Sequence, residues 1–157
     1  YLTRITQLTN KTNQFNLTTK RMTEKDIESI MNDDMSISLY AKLDDKFGEN
    51  GLVSVIQGNI KGSSVSIDLW LMSCRVFKRT LEYTIFYEFA KLARSKNINT
   101  IIGKYIPTKK NKIVSDIYKE LGFSMVDENN GNLTYELNLS EYDIPKNKNI
   151  TLKKDQK

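Results

Sequence analysis

A chain of 157 residues, 39% hydrophobic and 27% charged, is the size of one domain and can bury one core. Its net charge of +5 would suit an anionic partner, but much of the excess lies after Pro145 without interleaved aromatics, so nucleic acid is not expected. A lone cysteine excludes an internal disulfide and fits a reducing cytoplasm, and the absence of histidine removes the usual general base and most zinc sites, so no metal is expected.

The opening stretch to Lys20 is polar and threonine-rich, unlike a secretory leader. No apolar run anywhere approaches the ~20 residues of a membrane span, so no membrane partner is expected. Leu2, Ile5 and Leu8 predict a short helix over Leu2 to Lys11, and Phe15 to Lys20 reads as extended, with Phe15 and Leu17 inward. Thr23 and Asp26 form a capping box, and Ile27, Ile30 and Met31 continue a helix to about Asn32. Ser36 to Leu43 alternates as a strand, DDKFGENG turns the chain, and Leu52 to Ile60 is the next strand. Lys61-Gly62-Ser63 turns again into VSIDLWLM, where Val65, Ile67, Leu69 and Leu71 share one face and Ser66, Asp68 and Trp70 the other. A helix follows over Thr80 to Lys96, then a strand over Ile98 to Ile106 that Pro107 ends. This βαβ succession predicts parallel neighbours. A second helix over Lys112 to Leu121 closes at Gly122, and Phe123 to Asp127 pairs with Leu133 to Leu139 through Asn129-Asn130-Gly131-Asn132. The layout is α+β: a mixed, mostly antiparallel sheet with one parallel crossover pair, flanked by helices. It makes one domain over residues 1–140, with 141–157 a basic, flexible tail.

The loop between the parallel strands is the richest in chemistry. It brings Arg75, Lys78 and Arg79 to a helix N-terminus, where free backbone N–H groups and the helix dipole favour an anion. Met72, Arg75, Lys78, Arg79 and Thr80 are therefore candidate positions for the phosphates of a nucleotide or coenzyme; a solvated basic loop is the other reading. Cys74, beside Arg75, is expected to have a lowered pKa and to carry an acyl group as a thioester, or else to be a small apolar filler. Asp68 would accept a proton or fix a substrate hydroxyl if its face lines a cleft between the parallel strands. An ion pair with Arg75 or Arg79 is the alternative. Trp70 is either packing or a surface on which a substrate stacks.

The order of elements, with the ending NKIVSDIYKELGF (Asn111 to Phe123), resembles the GCN5-related N-acetyltransferase (GNAT) fold. More specifically, QLTNKTNQFNLTT (Gln7 to Thr19), FGENGLV (Phe47 to Val53), IDLWLMSCRV (Ile67 to Val76) and PTKKN (Pro107 to Asn111) resemble the carboxy-terminal part of FkbH-like proteins. Those proteins join a HAD-type phosphatase-like domain to a GNAT-like one. The resemblance implies an acyltransferase-like domain handling a glyceryl-type thioester on coenzyme A or acyl carrier protein, for methoxymalonyl extender units. Its implied partners are the carrier protein and the HAD-type domain, whose Asp-x-Asp-x-Thr signature this chain lacks. The likeness also implies that Tyr118 protonates a departing thiolate, a core tyrosine being the alternative, and that Asn111 touches a pantetheine arm, where helix capping is the alternative. The coenzyme loop departs from the family's Arg-x-x-Gly-x-Gly: Lys78 and Thr80 stand in place of both glycines, crowding the backbone cradle while Lys78 adds charge. A module that only docks the carrier protein is the competing functional class.

Overall fold

The computed structural model describes residues 15–16, 23–45, 48–72 and 81–144. In chain order the elements are β1 (Phe15–Asn16), α1 (Glu24–Met31), β2 (Ser36–Asp45), β3 (Gly48–Lys61), β4 (Ser64–Met72), α2 (Leu81–Ser95), β5 (Thr100–Tyr105), a 3-10 turn (Lys112–Val114), α3 (Ile117–Leu121), β6 (Ser124–Asn129) and β7 (Asn132–Asn138). The strands form one sheet in the order β2-β3-β4-β5-β7-β6, with β1 paired to β4. Every ladder is antiparallel except β4 with β5, the expected crossover pair. Among the described residues no helix is long and apolar enough to cross a membrane.

Local chemistry explains most boundaries. At the start of α1 the capping box forms: the Thr23 amide donates to Asp26 Oδ2 at 3.0 Å, and the Asp26 amide to Thr23 Oγ1 at 3.2 Å. The Thr23 amide foremost, and then the Thr23 side chain, hold the Asp26 carboxyl below its usual range. The β6–β7 hairpin turns on Asn130 and Gly131, both at positive φ (53° and 85°), as a two-residue primed turn requires. The expected second helix divides into the 3-10 turn and α3. Ser115 and Asp116 lie at the break, where short polar side chains compete with the helical ladder. Gly122 at φ 104° closes α3, as predicted for its C-terminus. β2 and β3 reach Asp45 and Gly48, so strand pairing extends into the predicted DDKFGENG turn. The predicted Leu2 to Lys11 helix lies outside the described residues.

One face of the sheet carries the helical core, with Ile37, Ile56, Val65, Ile67 and Ile101 meeting Ile85, Phe86, Phe89 and Ala93 of α2. Gly58 lets α2 approach: a Cβ there would lie 2.9 Å from the tip of Phe89. The packed part also runs past residue 140. Tyr142 and Ile144 rest on the core, and Arg94 donates to the carbonyls of Leu139 and Tyr142, so the tail expected from 141 onward is anchored at least to Ile144.

The alternation predicted for β4 fails at one residue. Gln57 pairs with Leu69 while the next residue, Gly58, pairs with Ile67, so Asp68 is an extra residue on β4, a β-bulge. Beyond it the faces exchange. Trp70 and Met72 join Val65 and Ile67 in the helical core, while Leu69 and Leu71, also buried, lie on the opposite side. Trp70 therefore does not share a face with Ser66 and Asp68.

Candidate functional site

The bulge sits where the sheet opens. The parallel ladder pairs Ser64 to Ile67 with Thr100 to Gly103 and stops there, although β4 continues to Met72 and β5 to Tyr105. A bulge bends its strand and sharpens the local twist, which carries β4 away from β5 just past the last rung. The two parallel strands thus cease to pair where Asp68 is inserted.

Tyr118 of α3 fills the β5 side of this opening. A Cβ on Gly103 would lie 2.4 Å from Tyr118 Cε1, so the ring lies flat against that glycine. Its hydroxyl donates to the Lys104 carbonyl at 3.2 Å, one residue past the last parallel rung. Trp70, Phe123 and Tyr135 surround the ring, with centroids 5.8, 5.0 and 5.3 Å away. Burial pushes the phenol far above its usual range. The group therefore keeps its proton under ordinary conditions.

Trp70 is fully buried, stacked on Phe86 at 5.8 Å. The expected role in stacking a substrate is corrected: the bulge turns the indole into the core, against Tyr118, where it fixes the ring that faces the cleft. Met72 is fully buried in the same cluster, so its side chain is a core group rather than a phosphate contact. Cys74, Arg75, Lys78, Arg79 and Thr80 lie outside the described residues.

Asn111 holds the β5–α3 connection. Its Nδ2 donates to the Ile106 carbonyl at 2.9 Å, and its Oδ1 accepts from the Thr108 amide at 2.7 Å and the Tyr105 hydroxyl at 3.2 Å. It makes no side-chain cap to the following turn, which corrects the capping expectation. With the residue fully buried, the amide serves the loop that enters α3 rather than an exposed surface. Replacing Asn111 with alanine leaves a buried amide and carbonyl without their partner and is expected to cost about 2 kcal/mol, read by urea denaturation. Asp at this position would keep the acceptor half alone and recover part of the loss.

On the other face of the sheet a polar relay ends at the bulge. Asp68 Oδ1 pairs with Lys104 Nζ at 3.4 Å, while the loop arginines that the sequence suggested as its partners lie outside the described residues. Asp68 Oδ2 accepts from Asn59 Nδ2, and Asn59 Oδ1 accepts from Gln57 Nε2 at 3.1 Å. A carboxylate only accepts, so Asp68 sets the orientation of both amides. The relay leaves Gln57 Oε1 buried without a donor, and Ser38 Oγ and Ser66 Oγ on the same face are likewise unmatched. That face carries buried hydrogen-bonding groups next to a carboxylate.

Two further groups stand where α2 begins. Glu82 is buried, its Oε2 has no hydrogen-bond partner, and burial raises its carboxyl, with Glu120 adding repulsion. Tyr83 donates to Glu120 at 2.5 Å, tying α2 to α3, and this bond with burial pushes its hydroxyl up to about 12. Sequence reasoning missed Gly103, Gln57, Asn59, Lys104 and Glu82. Gly103 alone had a signal, since an isolated glycine inside a strand marks a bulge or a close approach.

No protein-family profile matches this chain, and no curated protein does. Solved structures do. The GNAT domain of S. lividans PAT superposes with a TM-score of 0.70 at 13% identity, over 87% of this chain and 84% of that one. The ribosomal-protein-S18-alanine N-acetyltransferase from Escherichia coli gives 0.67 at 10% identity, over 90% of each chain. An aminoglycoside 6'-N-acetyltransferase complexed with coenzyme A gives 0.59 at 13% identity, over 80% of this chain and 82% of that one. At such identities the likeness concerns architecture, and the mixed sheet opened at its one parallel pair is a GNAT-like fold.

Proposed function

We propose that this chain is an acyltransferase-like domain that takes an acyl thioester into the opening between β4 and β5. The observation that carries this reading is the ladder that ends at Ile67 and Gly103 with Tyr118 set into the gap beyond. The neighbouring groups fit a thioester-bearing arm: a buried phenol that keeps its proton on one side, and the Asp68 carboxylate on the other. Coenzyme A or a phosphopantetheine thioester, when bound, supplies the activated acyl group. Arg75, Lys78 and Arg79, with the loop amides and Thr80, would hold its phosphates. Tyr118 would hold a proton for a departing thiolate, and Asp68, or water ordered by it, would take one from the acceptor. Polarisation of the carbonyl by backbone N–H groups would contribute most to the rate. Cys74 as a covalent way station is a further element of the proposal, and an acyl adduct found on it by mass spectrometry would support that element.

The likeness of four ordered segments to FkbH-like proteins supports a finer reading. In it the acyl group is glyceryl-type, the partners are an acyl carrier protein and a HAD-type phosphatase-like domain, and the setting is cytoplasmic synthesis of methoxymalonyl units. A second reading is favoured by Lys78 and Thr80 in place of the loop glycines: a docking module that grips the carrier protein without turning over coenzyme A. Calorimetric titration with coenzyme A, then with holo carrier protein, separates the two. The transferase reading expects coenzyme A to bind, and expects Arg75→Ala to weaken it about tenfold through loss of one charge-assisted contact. Binding of the carrier protein alone would establish the module instead.

A further inference from the structure

β4 has two hydrogen-bonding edges, and β3 runs along one of them from Ser64 to Met72. The other edge is divided. β5 takes it in parallel over Ser64 to Ile67, and β1 takes it in antiparallel over Leu71 and Met72, through Asn16 and Phe15. Because β3 already pairs Val55 with Leu71 and Ser54 with Met72, β1 can stand only on the edge that β5 has left. β1 also approaches the Lys112–Val114 turn, which belongs to the opposite bank. A segment remote in sequence thus spans the opening, on the backbone groups that its far end would otherwise present.

An open strand edge pairs with any extended chain that carries amides. A pantetheine arm is such a chain, with its amides separated by short methylene links. We infer that β1 is a displaceable strand, holding the β4 edge at Leu71 and Met72 until the amide arm of a pantetheine ligand replaces it. The inference rests on the coenzyme reading above. A two-residue ladder holds at most one bonded pair, so β1 is a modest competitor that lowers apparent affinity by the fraction of chains in which it is docked. The same step would couple arrival of the arm to release of β1.

Antiparallel pairs alternate between bonded and non-bonded, so one of Phe15 and Asn16 carries the ladder N–H. Phe15→Pro and Asn16→Pro are therefore made singly in the full chain and titrated with coenzyme A. One of them is expected to bind about tenfold more tightly than the parent, because the competing strand is lost. The nucleotide half of the coenzyme, which lacks the amide arm, should bind all three proteins alike. Hydrogen exchange on the parent needs no variant: coenzyme A should speed exchange at whichever of the Phe15 and Asn16 amides bonds to β4, while Leu71 and Met72 stay protected. Equal affinities for coenzyme A, with the β1 amides equally or better protected in the complex, overturn the inference and leave the coenzyme reading standing. If neither the parent nor the variants bind coenzyme A, the coenzyme reading falls and takes this one with it.

Discussion

Replacing Tyr118 with phenylalanine is expected to lower turnover of an acyl-coenzyme A donor by roughly 10²–10⁴-fold, the range lost with a positioned general acid. The affinity for coenzyme A should stay within a few-fold, because the ring and its packing remain. The fold loses one bond, from the hydroxyl to the Lys104 carbonyl, and should be destabilised by about 1 kcal/mol. These two readouts separate catalysis from architecture. A tyrosine serving only as core would show the stability loss without the rate loss. Free-thiol release measures the first quantity and urea denaturation the second. The pH dependence adds a further check. The Tyr118 phenol, ordinarily at 10.0, is raised by burial in the folded chain, so the unfolded chain gives up this proton first. Its contribution to stability is complete below pH 10 and declines as pH rises beyond that value. A rate profile between pH 6 and 9 should therefore show no limb that disappears in Tyr118→Phe.

Much of the fold was readable from periodicity and punctuation. The alternation of Ser36 to Leu43, the Thr23 and Asp26 box, the Asn130-Gly131 turn and the Gly122 stop each express a local rule, and each has its structural counterpart. The site was harder to read because its decisive feature is an exception to such a rule. A period of two across IDLWLM places Trp70 beside Asp68, and only pairing with β3 shows that Asp68 is the extra residue. Bulges are fixed by the partner strand, which a single strand's sequence does not contain. Asn111 failed as a cap for a related reason: its partners Ile106, Thr108 and Tyr105 precede it, so the side chain organises the loop it leaves rather than the turn it enters. The polar relay from Gln57 through Asn59 to Asp68 joins two strands, and neither strand alone announces it. The role of β1 was equally out of reach, since two residues of extended chain carry no sign of which edge they will take.

Gly103→Ala should be the most damaging single methyl in the described part of the cleft, costing about 3 kcal/mol, at the upper end of overpacking penalties. The new Cβ would sit 2.4 Å from Tyr118 Cε1, 2.6 Å from Cζ and 2.8 Å from Cδ1. These are ring atoms, and the ring is confined by Trp70, Phe123 and Tyr135, so it cannot step aside without disturbing the core. The backbone gives no reason to resist, because Gly103 lies outside the positive-φ glycines. In a strand, indeed, alanine is otherwise the better residue. The sign of the effect therefore depends on the tyrosine. In a Tyr118→Leu background, where the flat ring is gone, the same Gly103→Ala change should cost less than about 1 kcal/mol, leaving a coupling of about 2 kcal/mol in the double-mutant cycle. Equal costs in the two backgrounds would show that Gly103 is needed for its backbone and not for the ring beside it. Activity should follow the same logic: a displaced Tyr118 loses the Lys104 carbonyl and its place in the cleft together, so Gly103→Ala should lower the rate at least as far as Tyr118→Phe does.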